Sequence, residues 1–239
     1  MTHALIDFHT ENYRPLADMT LRQNKMPYAK RHGYTVFSND LKLIEGVSIS
    51  YQKIYMIREI MNTCPDIEWM WYTGTDSLVT NMSIRIEDKI DNRYHFMMSA
   101  DFNGINIDSF LIRNTHYGRA IIDQMIAHEV EACKCWDSEQ RAMAWTLGVP
   151  VFGEPWHNTP YVPETSRFAN IARIYPQTYM NSYNYELYYD RYLAREQGDY
   201  DVFGYRGNWT KGDWLIHWPG TTLDQRMQLA PYYLTQVVE

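Results

Sequence analysis

The sequence predicts an α/β fold in which helices flank a mixed, mostly parallel central sheet. Strand-like and helix-like segments alternate through the first third of the chain, an order typical of parallel sheets. The chain of 239 residues fits one such domain, and no repeat, low-complexity run or long linker divides it. We therefore expect residues 1–239 to form a single domain.

Five elements make up the alternating part. Apolar residues recur at helical spacing in its two helices, and the first helix is expected to break or kink near Pro27. Gly33 and Pro65 stop these helices, and an apolar run follows each stop. In chain order the elements are strand Ala4–Phe8, helix Leu16–Arg31, strand Tyr34–Phe37, helix Ser50–Cys64 and strand Ile67–Tyr72.

The rest of the chain mixes strands and helices with a loop-rich region. Residues 150–176, rich in Pro, Thr and Asn, are predicted to be loop with short strands. Ligands of such sheets bind beyond the carboxyl ends of the strands, so polar residues there are the first candidates for function. The predicted elements are strands His95–Ala100 and Ser109–Arg113, helices Gly118–Cys133, Ser138–Leu147 and Tyr183–Arg195, and strand Gly212–Trp218.

Composition narrows the classes of partner and compartment. The net charge of −7 disfavours a nucleic-acid partner, which would require a basic face. Three cysteines form neither a disulfide framework nor a zinc spacing, as expected for free thiols in a reducing compartment. The N-terminus shows no leader pattern, and no apolar run is long enough for a transmembrane segment. These features predict a soluble, cytoplasmic protein.

The aromatic run Trp69–Tyr72 ends abruptly in a small polar turn that carries one carboxylate, Asp76. At the carboxyl end of a strand, this side chain could bind a divalent metal or a ribose hydroxyl. Taken alone, an aspartate that hydrogen-bonds the backbone of its own turn is the stronger interpretation.

A second polar cluster, next to Gly104, shifts the balance toward a binding site. Amide and carboxylate side chains at a strand entrance can hydrogen-bond sugar hydroxyls. A hairpin turn is the alternative, but it accounts less well for four such residues before an apolar strand. The four are Asp101, Asn103, Asn106 and Asp108.

Other positions keep two interpretations each. His217 precedes a Pro-Gly turn, where it could bind a metal or phosphate or be a buried core residue. Lys53 could contact phosphate as a point charge or be a solvated helix residue. Glu139 and Gln140 open a helix behind Asp137, and N-capping alone explains that composition.

Several short motifs between residues 24 and 220 together resemble one family. They are Asn24-Lys25 with Tyr28-Ala29, His32-Gly33-Tyr34, Lys53, Pro65-Asp66 with Glu68-Trp69 and Trp71, Asp76, Asn103-Gly104 with Asn106, Ser109–Asn114, Glu139-Gln140, and Gly212-Asp213 with His217 and Gly220. These motifs and their order in the chain resemble those of the glycosyltransferase family of the yeast and plant Golgi α-galactosyl-, α-mannosyl- and xyloglucan α-xylosyltransferases. The resemblance spans nearly the whole chain.

The resemblance implies a Rossmann-like GT-A fold, a UDP- or GDP-linked sugar donor, a glycan or glycoprotein acceptor, and retention of anomeric configuration. It implies that the nucleotide sugar is bound by residues from many segments, namely Asn24, Tyr28, Lys53, Thr75, Asp76, Asn103, Asn106 and Gly220. The residues it brings near the reacting sugar are Glu139, Gln140, Asp108 and Asp101. Three of these are carboxylates that could act as a nucleophile, and same-face attack by the acceptor is equally compatible.

The resemblance also implies a metal. In the family, the two carboxylates of a D-x-D motif and a late histidine hold Mn²⁺ against the donor diphosphate. The corresponding positions here are Gly74, Asp76 and His217. Because Gly74 removes one carboxylate, Mn²⁺ or Mg²⁺ would be coordinated by Asp76, His217, the diphosphate and water.

Three functional hypotheses follow. The first is a retaining glycosyltransferase, and the family's membrane anchor being absent from this sequence suggests a bacterial, phage or viral relative. The second, motivated by Gly74, is a nucleotide- or sugar-binding module that has lost catalysis. The third, a nucleotidyltransferase, ranks last because no Gly-rich basic loop follows the first strand.

Overall fold

The computed structural model describes residues 2–39, 44–101, 104–151, 162–188 and 207–239. Its strands form a large and a small sheet. The strands are β1 Thr2–Phe8, β2 Thr35–Asn39, β3 Ile67–Thr73, β4 Ser77–Val79, β5 Phe96–Asp101, β6 Gly104–Arg113, β7 Ala172–Tyr175, β8 Ser182–Tyr183 and β9 Leu215–His217.

The large sheet has six strands in the order β2-β1-β3-β6-β5-β7. β1 pairs in parallel with β2 and β3, and β5 pairs in parallel with β7. β6 runs antiparallel to both of its neighbours, β3 and β5. The prediction of a mixed, mostly parallel sheet is confirmed.

Helices cover both faces of this sheet. A continuous helical stretch from Arg14 to His32 contains a π-helical segment, Asp18–Lys25. Pro27 does not break it, since Pro27 lies in the first turn of the α-helix that follows, where its missing N–H is tolerated. The α-helices are α1 Arg14–Ala17, α2 Met26–His32, α3 Gln52–Thr63, α4 His116–Ala127, α5 Glu129–Ala132, α6 Ser138–Leu147 and α7 Leu223–Leu234.

The structure corrects some predicted bounds. The predicted helix Gly118–Cys133 is divided at His128 into α4 and α5. The predicted helix Tyr183–Arg195 is wrong at its start, where Tyr183 ends strand β8 and Tyr185–Tyr188 form a 3₁₀ turn, and residues 189–195 lie outside the described residues. Helix α7 was not predicted; its start carries the capping-box pattern of Thr222 and Gln225, but Pro231 inside it obscures the helical signal.

The aromatic strand β3 anchors two apolar layers. Met70 and Tyr72 face the layer formed by α3, α4 and α6, whereas Trp69 and Trp71 face the opposite layer. Trp71 stacks on Trp214 with ring centroids 4.2 Å apart. Because alternate side chains of β3 are buried on both faces, the position of its carboxyl end is closely defined.

The small sheet, ordered β4-β9-β8, brings the C-terminal part of the chain to this end of β3. β4 and β9 pair antiparallel with Ser77 opposite His217, and the Trp218 amide donates to the Asp76 carbonyl at 3.0 Å. Among the described residues, no helix is both long enough and apolar enough to cross a membrane.

Candidate functional site

A cavity of about 330 Å³ opens beyond the carboxyl ends of β1 and β3. This is the edge where α/β sheets bind ligands. Its wall includes Tyr13, Gly74, Thr75, Asp76, Asp108 and Arg226. Four polar clusters lie at this cavity or behind its wall.

Asp76 is the centre of the first cluster. Its Oδ2 forms an ion pair with Arg226 Nη2 at 2.8 Å, and its Oδ1 lies 3.3 Å from His217 Nε2. Burial acts to raise the pKa of Asp76, but the electrostatic interactions with His217 and with the Arg226 guanidinium outweigh burial and hold that pKa well below its usual range. This environment favours the ionised form of Asp76, and the partners of its carboxylate come from distant segments and not from its own turn.

His217 is fully buried behind Asp76, and a hydrogen-bond chain orients its ring. Tyr183 donates its hydroxyl proton to Asp101 at 2.5 Å, so its oxygen accepts from Asn181 Nδ2 at 3.0 Å. That fixes the Asn181 amide, whose Oδ1 lies 2.7 Å from His217 Nδ1. Nδ1 thus carries a proton, and Nε2, which has no hydrogen-bond partner among the described residues, is the nitrogen directed toward Asp76.

The Asp76–His217 pair fits part of a divalent-metal site. A carboxylate oxygen and an imidazole nitrogen are donors that Mn²⁺ accepts, and their 3.3 Å separation suits two neighbouring ligands of one ion. The buried Nε2 is what such an ion would satisfy. Within the described ranges no third His, Cys, Asp or Glu joins them, so other ligands would come from substrate and water.

Gly74 is closely packed. A Cβ at this position would lie 2.8 Å from Asp76 Oδ1 and 3.5 Å from Asp108 Cβ. Its amide donates to the Asp108 carbonyl at 2.8 Å, and its φ is not in the left-handed region. Glycine suits this position because little space is left beside the Asp76 carboxylate. Any side chain at residue 74 would point between Asp76 and Asp108.

The second cluster is buried beneath the cavity wall and anchors the loop between β3 and β4. Asp7 and Lys25, both fully buried, pair at 2.9 Å, and Lys25 Nζ also donates to the Gly74 carbonyl at 2.5 Å. Thr75 donates to Asp7 Oδ1 at 2.9 Å, and His9 Nδ1 lies 3.3 Å from the same oxygen. Burial acts to raise the pKa of Asp7, but Lys25 and His9 lower it below its usual range.

The third cluster joins three residues predicted at separate places. Lys53 Nζ lies 2.6 Å from Asp108 Oδ1 and 3.1 Å from Glu139 Oε1. Burial acts to lower the pKa of Lys53, yet the two carboxylates raise it well above its ordinary value. Lys53 is therefore not a solvated helix residue. Asp108, with a third of its side chain exposed, is the member that reaches the cavity.

The fourth cluster is buried. Asp101 Oδ2 accepts from the Tyr183 hydroxyl at 2.5 Å and from Asn106 Nδ2 at 3.2 Å. Asn106 Oδ1 in turn accepts from the Asp108 amide at 2.9 Å. Asp101 and Asn106 therefore support Asp108 and His217 from behind and do not line the cavity. Asn103, the fourth polar residue predicted there, lies outside the described residues.

Other predicted residues lie at varying distances from the cavity. Asn24 forms two bonds with the Val79 main chain, and Tyr28 donates to the Ile84 carbonyl. Both are fully buried, which indicates a structural role. Gly220 occupies an exposed turn with φ of 67°, and Gln140 is half-buried next to Glu139.

Sequence reasoning missed several residues of the site. Arg226 lies on the unpredicted helix α7, and the capping pattern at Thr222 was the signal that could have located that helix. Asp7 could have been found as a carboxylate at the end of a predicted strand. Nothing in the sequence indicates that Lys25 would reach the Gly74 carbonyl or that Asn181 would contact His217.

Comparison with solved structures supports the fold. A glycosyltransferase involved in glycosylation of the major capsid of PBCV-1 superposes with a TM-score of 0.67 at 13% identity, over 97% of this chain and 100% of that one. The galactosyltransferase LgtC, solved with donor and acceptor sugar analogs, gives a TM-score of 0.53 at 13% identity, over 96% and 95% of the two chains. The fold is GT-A, as the resemblance implied.

Sequence comparison gives the family. An α-1,2-galactosyltransferase of Schizosaccharomyces pombe, itself uncharacterised, is 30% identical over 142 residues, 44% of this chain and 38% of the relative. The chain thus spans less than half the length of that relative. The sequence pattern of the galactosyl transferase GMA12/MNN10 family matches residues 5–93 and 91–226, nearly the whole chain. The chain belongs to the galactosyl transferase GMA12/MNN10 family.

Proposed function

We propose that this chain is a retaining glycosyltransferase that moves a sugar from a UDP- or GDP-linked donor to a glycan or glycoprotein acceptor. The observation that carries the proposal is that one cavity is lined by Asp76, Arg226 and Asp108, with His217 buried directly behind Asp76. The first cluster suits a diphosphate with or without its metal, and Asp108 is an ionisable group beside it. Family membership and the GT-A fold support the same activity.

The proposed transfer is a same-face displacement at the anomeric carbon of the donor sugar. The bond between the anomeric carbon and the diphosphate oxygen breaks, and its electron pair leaves with the diphosphate. The acceptor hydroxyl forms the new bond on the same face, and its proton passes to the departing phosphate oxygen. The sugar passes through an oxocarbenium-like state, which the negative charge of Asp108 would stabilise.

Asp108 is also the candidate nucleophile of a two-step route. It lines the cavity, and its 2.6 Å contact with Lys53 holds its carboxylate in place. Glu139 is one contact further back, at 3.1 Å from Lys53, and orients that ammonium. Asp101 is 4% exposed and accepts from Tyr183, which makes it a supporting residue.

Asp76 and His217 would hold the divalent metal, Mn²⁺ or Mg²⁺. When bound, such an ion neutralises the charge that builds up on the leaving diphosphate. The protein's own part is to keep Asp76 ionised, to orient the imidazole through Asn181 and to hold the loop at Gly74 through Lys25.

The test is turnover with a panel of UDP- and GDP-sugars, Mn²⁺ and oligosaccharide acceptors, followed by mass spectrometry. Donor hydrolysis or transfer, with NMR showing that the first product keeps the donor's anomeric configuration, supports the proposal. Nucleotide binding without any turnover would instead support a binding module that has lost catalysis. Inverted product would rule out the retaining mechanism.

A further inference from the structure

The charge beside the candidate metal ligands differs from that of a two-carboxylate motif. With Gly74 at the first position, Asp76 supplies the single negative charge of that motif. Arg226, 2.8 Å away, cancels it. A divalent cation gains less from this pair than from two carboxylates, whereas an anionic ligand meets less repulsion.

The guanidinium of Arg226 has anchors other than Asp76. Its Nε donates to Thr221 Oγ1 at 3.2 Å, and its Nη1 donates to the Tyr13 hydroxyl at 3.1 Å. The Tyr13 ring centroid lies 5.6 Å from the guanidinium carbon. These contacts hold the planar group at the cavity wall, so it would keep its position if Asp76 were no longer its partner.

We propose that Arg226 binds the diphosphate of the donor and exchanges its ion pair with Asp76 for one with phosphate when the donor enters. This inference rests on the proposed function and assigns a residue to the same site. A guanidinium and a phosphate form short, charge-assisted and often bidentate hydrogen bonds. The exchange frees the Asp76 carboxylate, so one arginine both receives the diphosphate and makes the metal ligand available.

Two consequences separate this role from a purely structural one. Diphosphate binding persists without a divalent metal, because the protein supplies a positive charge of its own. Removing the Asp76 charge tightens metal-free binding, because Arg226 is then released from that carboxylate and the phosphate no longer faces a negative neighbour. A structural partner of Asp76 would show neither effect.

The experiment measures binding of UDP, GDP and inorganic pyrophosphate to the full chain by calorimetry, in EDTA and in Mn²⁺. The comparison uses those of the three probes that the wild-type chain binds in EDTA. For these probes, Arg226→Gln is expected to weaken binding by about tenfold or more, and Arg226→Lys is expected to weaken it less. Asp76→Asn is expected to tighten it by about threefold. Arg22→Gln is the matched control, since it removes an arginine–aspartate pair from the surface and should change nothing.

Folding is controlled with the double variant Asp76→Asn with Arg226→Gln, which removes both charges of the pair together. Thermal unfolding close to that of the wild type, together with lost metal-free binding, supports the proposal. It is overturned if Arg226→Gln binds as well as the wild type in EDTA, or if the wild type binds only with Mn²⁺. It is also overturned if Asp76→Asn weakens metal-free binding.

The binding test of Arg226 can succeed or fail separately from the test of sugar transfer. If no donor in the panel is consumed but metal-free binding depends on Arg226, then the proposed function fails and Arg226 is still a diphosphate-binding residue. If transfer is found and Arg226→Gln changes neither binding nor the Michaelis constant for the donor, then the proposed function stands and the role of Arg226 is wrong.

Discussion

Asp7 and Asp76 lie near the ends of neighbouring parallel strands, and each is paired with a cation at almost the same distance. The Asp7–Lys25 separation is 2.9 Å and the Asp76–Arg226 separation is 2.8 Å. The surroundings differ. The side chains of the first pair are completely buried, whereas those of the second are 13% and 11% exposed and line the cavity.

The comparison shows that access, rather than charge or distance, separates a structural ion pair from an exchangeable one. The contacts described for Asp7 and Lys25 all lie within the protein, and they fasten the Gly74 carbonyl and Thr75. The Asp76 pair borders open space that a ligand can enter. The first pair therefore builds the loop, and the second is available for binding.

The largest expected effect comes from opening the buried pair. Lys25→Met leaves the Asp7 carboxylate buried without its cation, which costs about 3–5 kcal/mol in the free energy of unfolding. Urea denaturation followed by circular dichroism measures it. Adding Asp7→Asn should recover part of the loss. Lys134→Met, which removes an exposed pair with Glu131, should cost about 1 kcal/mol or less.

If Lys25→Met left the free energy of unfolding unchanged, the Asp7–Lys25 pair would not be the structural pair that the comparison with Asp76–Arg226 makes it. The double variant matters here, because recovery shows that the stability was lost to an uncompensated charge and not to poor packing of the introduced thioether.

The next effect is on catalysis. Asp76→Asn keeps the size of the side chain but removes the charge, so we expect transfer with Mn²⁺ to fall by about 100-fold or more. The initial rate of product formation is the measurement. Asp91→Asn is the control, because Asp91 also has a lowered pKa, about 2, but pairs with Arg93 away from the cavity. Unchanged turnover would remove Asp76 from the site.

A smaller effect tests the orientation of His217. Asn181→Ala removes the acceptor of Nδ1–H and should weaken Mn²⁺ binding by about 10–100-fold, measured by calorimetry or electron paramagnetic resonance. His217→Ala should shift the Mn²⁺ dependence of activity at least as far. If the Mn²⁺ titration is unaltered in His217→Ala, the histidine is a core residue and not a ligand.

The smallest expected effect is on Mn²⁺ affinity when the missing carboxylate is restored at residue 74. Gly74→Asp places a second acid beside Asp76, which must turn aside because the new Cβ would lie 2.8 Å from its Oδ1. We expect Mn²⁺ to bind about fivefold more tightly than to Gly74→Ala, which introduces the same Cβ without the charge. Equal Mn²⁺ affinity in the two variants would show that this position does not face the ion.

Much of the fold was predictable from local pattern. Strand β3 combined an aromatic run with a sharp polar end, and the stops at Gly33 and Pro65 follow directly from backbone chemistry. Helix α7 was missed because Pro231 masks its periodicity, although Thr222 and Gln225 form a capping box. Local rules therefore work where one signal dominates, and they fail where two signals conflict.

The site was predictable only in part. Asp76, Asp108, Lys53 and His217 are candidates from the sequence, the last with help from the family resemblance, and their roles stay predictions. The ion pair that joins Lys53 to Asp108 and Glu139, and the one that joins Arg226 to Asp76, connect segments far apart in the chain. Neither spacing nor composition contains that information.

The alternating strands and helices of the first third of the chain, the sharp end of β3 and the groups available for chemistry could be inferred from the amino-acid sequence, because they depend on neighbouring residues. Which charges meet depends instead on how distant segments pack. The pairing of β4 with β9 brings His217 to Asp76, and α7 brings Arg226 to the same carboxylate. Burial then decided which ion pair is closed and which faces the cavity, since solvent access arises only when distant segments pack together.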